Sequence, residues 1–197
     1  MMSIARRWFA FGILAVALAG CATEPPPDSF AELRYTHLPR IELAVASIEV
    51  TQSYRAPSKA PNIEHHFPTP PGITAAQWAR DRLRAAGGAN LVRVTILRAS
   101  VVEVPLKPSG GVRGLFTNDQ SERYDGTLEI RIEMLAPGGR QLAVVKSQAT
   151  RSRSVPEDIT LAAREKVWFR LTEDLMNDIN TSLETQIRQY FTKWLVR

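Results

Sequence analysis

Two spacings of apolar residues organise this chain. From Tyr124 to Met134 the spacing is two: Tyr124, Gly126, Leu128, Ile130, Ile132 and Met134 alternate with Asp125, Thr127, Glu129, Arg131 and Glu133. That is the pattern of a strand with one buried and one wet face. From Leu161 the spacing is three, four or seven: Leu161, Trp168, Leu171, Leu175, Ile179, Leu183, Ile187, Phe191 and Leu195 form the apolar stripe of a long helix. Ser154-Val155-Pro156-Glu157 reads as its capping box, with proline in the first turn. At about 1.5 Å per residue such a helix outruns the expected sheet, so a bend or break is predicted near Asn180-Thr181-Ser182.

The remaining elements follow from the same patterns. Ile41 to Gln52, rich in Ile, Leu and Val, reads as a strand buried on both faces, and Arg55 to Gly72, dense in proline, as a stiff loop. Thr74-Ala75-Ala76-Gln77 resembles a capping box opening a helix whose face is Ala75, Trp78, Ala79, Leu83 and Ala86, stopped by Gly87-Gly88. Leu91 to Leu106 reads as a strand, and Pro137-Gly138-Gly139 as the turn into a further strand, Gln141 to Arg153. The charges at Lys146 through Arg153 read as a blunted sheet edge. The predicted order is β-α-β-β-β-α. This is an α+β fold, one mainly antiparallel sheet with two helices on one face, and no internal repeat appears.

Ahead of this body lie Arg6 and Arg7, a short apolar run, and Leu18-Ala19-Gly20-Cys21. The run is shorter than the roughly 20 residues a membrane crossing needs, so it reads as a targeting segment. The small residues before Cys21 resemble the lipobox of bacterial lipoproteins. That resemblance implies cleavage after Gly20 and diacylglycerol and N-acyl chains on Cys21, with Leu18, Ala19 and Gly20 as the processing residues. Cys21 is the single cysteine, so no internal disulfide forms and stability must come from a packed core. Residues 1–20 are then the signal peptide, 21–39 a proline-containing flexible tether, and 40–197 a single α/β sandwich domain. Losing Arg6 and Arg7 with the leader takes the formal charge from +5 to +3, and that mild, scattered excess argues against nucleic acid as a partner. Ala22 is not the aspartate that such lipoproteins carry for inner-membrane retention, which places the expected anchor in the periplasmic leaflet of the outer membrane.

A lipobox, a tether and this element order together resemble several families of small periplasmic lipoproteins. Among them are the lipopolysaccharide-assembly lipoprotein and the auxiliary lipoproteins of ABC-type lipid transporters. The resemblance implies a non-enzymatic accessory subunit of an envelope assembly or lipid-transport complex. Its partners would be a protein of the cell envelope and, through the anchor, the membrane, with lipopolysaccharide or phospholipid as further contacts. The alternative is a lipid or lipopolysaccharide carrier with a cavity between helices and sheet; a hydrolase comes third.

Chemistry-bearing residues are sparse. His65 and His66 are adjacent, so in an extended loop their rings diverge, and no ligand-spaced partner accompanies them or His37; no metal site is predicted. No Gly-x-Ser-x-Gly elbow marks a nucleophile. Ser109 to Phe116 carries three glycines, yet it joins two strands and lacks the Lys-Ser/Thr that opens a helix in a phosphate loop. Leu115 and Phe116 in that connection, and Trp194 in the aromatic and basic run Tyr190 to Arg197, are the candidate contacts for a partner or a lipid.

Overall fold

The computed structural model of the protein describes residues 30–106 and 120–196. The chain runs through β1 (Ile41–Leu43), β2 (Ser47–Gln52), α1 (Pro71–Arg82), β3 (Leu83–Ala85), β4 (Leu91–Pro105), β5 (Gln120–Leu135), β6 (Gln141–Pro156) and α2 (Leu161–Tyr190). One sheet has the order β2-β4-β5-β6, and β1 and β3 form a second, two-stranded one. The architecture is α+β, as the two periodicities predict, but the main sheet is mixed rather than purely antiparallel, and β1 and β3 stand apart from it as a second, parallel pair. β4-β5 and β5-β6 are antiparallel ladders, whereas β2 pairs with β4 in parallel across the α1 crossover, and β1 with β3 likewise. A strand–helix–strand order requires this, because only a long crossover returns the chain in the same direction.

Both helices cover the same face. Ala99 of β4 is paired with Leu128 of β5, so both side chains point one way; Ala99 neighbours Gly72 of α1, and Gly126, two residues from Leu128, neighbours Leu171 and Leu175 of α2. The core beneath is filled by Val92, Val94, Ile96, Leu128, Ile130, Ile132 and Met134 against Leu171, Leu175, Met176, Ile179, Leu183 and Ile187. A bulge between Ile96 and Arg98 restores the inward parity of β4, letting both Ile96 and Ala99 face the helices. The outer face is charged and self-paired through Arg93–Glu49, Arg131–Glu133 and Lys146–Glu129.

Several boundaries differ from the sequence pattern, each for a local reason. The expected strand 41–52 is broken at residues 44–46, and β2 is a half-exposed edge strand, not one buried on both faces. α1 starts three residues before Thr74, because Pro71 supplies a helical φ and lacks the amide that a first turn cannot use. Thr74 Oγ1 instead donates back to the Pro70 carbonyl at 3.1 Å, and Gln77 donates to Asp81. The helix also ends early, at Arg82; Ala86 is exposed, and Gly87-Gly88 turns the chain into β4. Ser154 lies within β6, and the cap of α2 is Thr160, whose hydroxyl accepts from the Ala163 amide at 3.2 Å.

α2 continues unbroken through Asn180-Thr181-Ser182. The β4 to β6 strands are 15 and 16 residues long, roughly 50 Å, so the sheet is as long as the 30-residue helix above it. The polar residues there are also satisfied in place: Asn180 Oδ1 accepts from the Trp78 indole at 2.8 Å, and Thr181 donates to the Asn177 carbonyl at 3.0 Å.

Candidate functional site

The proline-rich stretch before α1 builds the flank of the molecule that carries its open clefts. β2 ends at Gln52, halfway along β4, which leaves the upper edge of β4 without a strand partner. The loop fills that gap: the Ile63 amide donates to the Val101 carbonyl at 3.0 Å, and the Glu103 amide to the Pro61 carbonyl at 2.8 Å. The 3₁₀ turn Glu64–His66 then swings a carboxylate inward, and Glu64 Oε2 accepts the Val101 amide at 3.0 Å where a strand carbonyl would otherwise sit. Glu64 is buried and also accepts from the Tyr54 hydroxyl at 2.6 Å and from Asn62 Nδ2 at 3.3 Å. Burial, reinforced by that carboxylate, pushes the Tyr54 hydroxyl well above its usual range, so Tyr54 stays a neutral donor.

Two clefts open beside this network. The first, about 330 Å³, has Gln52, Tyr54, Glu64 and His65 on its polar side and Ala56, Pro70, Pro71, Ile73 and Ala99 on its apolar side. The second, about 250 Å³, is bordered by Phe30, Leu33, Pro68, Pro70, Ile73 and Gln77 among others. They share Pro70 and Ile73, and Ile73 stands 65% exposed on the ridge between them. Arg55 and Lys59 are exposed on the loop that walls the first cleft.

The approach of the chain to this flank is fixed. The ring of Phe30 stacks on Phe169 of α2 with centroids 5.3 Å apart, and Arg34 forks onto Asp81 with bonds of 3.0 and 2.9 Å. The Tyr35 amide also donates to Asp81, and the Pro39 carbonyl accepts from buried Arg82. Burial alone would raise the Asp81 carboxyl, but Arg34, the Tyr35 amide and Gln77 together hold it below the usual carboxylate value. Residues 30–39, which the composition assigns to the tether, are therefore packed against the two helices.

The other candidates are placed as follows. Leu18, Ala19, Gly20, Cys21, Leu115 and Phe116 lie outside the described residues; the β4-β5 connection leaves and rejoins the sheet at Leu106 and Gln120. Trp194 is half-buried in a 3₁₀ turn after α2, edge-on to Phe191 with centroids 6.1 Å apart. Its carbonyl accepts the Ala44 amide, and Leu195 bridges to Leu43, so this segment extends along the outer edge of β1. His65 and His66 do not diverge, because the 3₁₀ turn brings their rings to 3.9 Å. Among the described residues no group of three or more His, Cys, Asp or Glu is placed to hold a metal, and no described helix is long and apolar enough to cross a membrane. The expected edge charges Arg151 and Arg153 instead reach α2, pairing with Asp178 and Asp174.

The pattern passes over Glu64, Ile73 and Phe30. Glu64 had a signal, an isolated acid between Ile63 and Phe67 in a stretch with no other acidic residue; Ile73 had one in its place after Pro70-Pro71, off the Ala75-Trp78-Ala79 face. Phe30 had none, since its partner is 139 residues away.

No family model matches the chain, and no curated protein matches it. Among solved structures it is similar to the rare lipoprotein B from Shewanella oneidensis, with 12% sequence identity over 73% of this chain and 95% of that one, at a TM-score of 0.37.

Proposed function

We propose that this protein is a lipid-anchored envelope protein that acts by binding, as an accessory subunit of an assembly or lipid-transport machine. The observation that carries the reading is Leu18-Ala19-Gly20-Cys21, whose cysteine stands nine residues before Phe30, a residue packed on α2 through Phe169. An acylated Cys21 would confine that body to a membrane surface on a short leash, and confinement raises the effective concentration of any partner held there. Contacts too weak to persist in solution then suffice. The β4-β5 connection with Leu115 and Phe116 and the segment around Trp194 are the contact surfaces assigned to a protein partner.

The carrier reading requires an apolar cavity between helices and sheet. Between α2 and the strands that layer is filled: a Cβ added at Gly126 would come within 2.9 Å of Leu175, and Leu171, Leu175, Ile179 and Leu183 are fully buried. The accessory reading therefore stands first. Two measurements test it. Mass spectrometry of the protein from the envelope should show the acyl chains on Cys21, and Cys21→Ser should abolish them and release the protein from the membrane fraction. In-cell photo-crosslinking from position 116 should then capture a discrete protein; capture of lipid alone would move the reading to the carrier.

A further inference from the structure

We infer that the flank carrying Ile73 is a membrane-docking surface, which seats on the phospholipid bilayer holding Cys21. This inference rests on the anchor reading of Cys21. Three observations meet at one place. The leash is short, since the nine residues from Cys21 to Phe30 span at most about 30 Å when fully extended. It ends inside the second cleft, because Phe30 is itself a lining residue and is fixed there by the stack on Phe169. The ridge between the clefts is an exposed isoleucine flanked by Pro70, Pro71 and Pro68; the acids of the lining are Glu64 in the first cleft, buried and bonded to Tyr54, and Glu32 in the second, ion-paired with Arg34.

The occupant follows from that chemistry. An exposed Ile73 beside two shallow apolar clefts suits acyl chains at the interface, where even partial burial of an isoleucine contributes on the order of 1 to 2 kcal/mol. Arg55 and Lys59 on the outer wall suit anionic headgroups. Neither effect holds a free protein on a bilayer, but a body already tethered within about 30 Å needs only enough to choose which face turns down. Docking here would turn the opposite edge of the sheet, β6 with Val144, toward the periplasm.

The test uses the full lipidated protein in vesicles of phosphatidylethanolamine and phosphatidylglycerol. Acylation consumes the thiol of Cys21, the single cysteine, so Ile73→Cys supplies the one free thiol for an environment-sensitive fluorophore. Val144→Cys, also an exposed apolar position, is the matched control on the far edge. Both are surface positions, so the fold is retained. In vesicles, quenching of the label at 73 by aqueous iodide should fall several-fold relative to detergent-free buffer with the vesicles omitted, and quenching by nitroxide-bearing lipid should appear. The label at 144 should show neither change. Equal iodide access at both positions in protein that floats with the vesicles would overturn the docking and leave the anchor intact. Protein that fails to float would overturn both.

Discussion

At the level of single residues, Asp81 joins most of what fixes the start of the body: it takes a fork from Arg34, an amide from Tyr35 and an amide from Gln77. Its carboxyl is held below the usual value, so the contribution is complete above about pH 4 and is lost as pH falls through the lower, folded value. Melting temperature measured down to pH 2 should therefore drop less steeply for Asp81→Asn than for the parent. Asp81→Ala, which strands the Tyr35 amide, should cost about 1–3 kcal/mol at neutral pH by denaturant unfolding. Gly87 and Gly88 make a second residue-level comparison. Both have positive φ, but a Cβ at Gly87 meets nothing, whereas one at Gly88 would stand 2.6 Å from the Ala44 carbonyl oxygen. Gly88→Ala should thus destabilise more than Gly87→Ala, which should cost only the backbone strain of about 1 kcal/mol. The glycine pair was legible as a stop; which of the two is irreplaceable depends on a backbone over forty residues away.

Among the elements, those with a strong period were legible and those defined by their neighbours were not. The alternation from Tyr124 to Met134 and the stripe from Trp168 to Phe191 face the core as spaced. Leu161 is in register with that stripe yet 67% exposed, because it stands at the first residue of α2. The start of α2 was misplaced because two Ser/Thr cap signals stand six residues apart, and sequence alone does not say that β5 extends β6 past the first. Thr160→Ala should cost about 0.5–2 kcal/mol, while Ser154→Ala should stay within about 0.5, both by thermal unfolding. Sheet edges were the least visible feature. Glu64 accepts the β4 amide of Val101, and at the far edge Gln186 of α2 bonds both the amide and the carbonyl of Lys146. Gln186→Ala should leave the fold intact while speeding hydrogen exchange at Lys146 severalfold.

For the whole molecule, the fold class was readable and the parallel pairing was latent in the strand–helix–strand order, but the extent of the body was not. Proline density marks where regular structure stops, not where packing stops, and residues 30–39 pack without forming an element. Removal of residues 30–39 should accordingly lower the melting temperature by several degrees. The closure of β1 bears on the order in which the chain can fold. Leu43 has β3 on one side and Leu195 on the other, a partner about 150 residues later. A chain delivered in order from its N-terminus cannot complete that ladder until position 195 has been delivered. On the proposed export route, premature folding behind a translocation pore would thereby be disfavoured, and the chain would stay threadable until its last residues had passed.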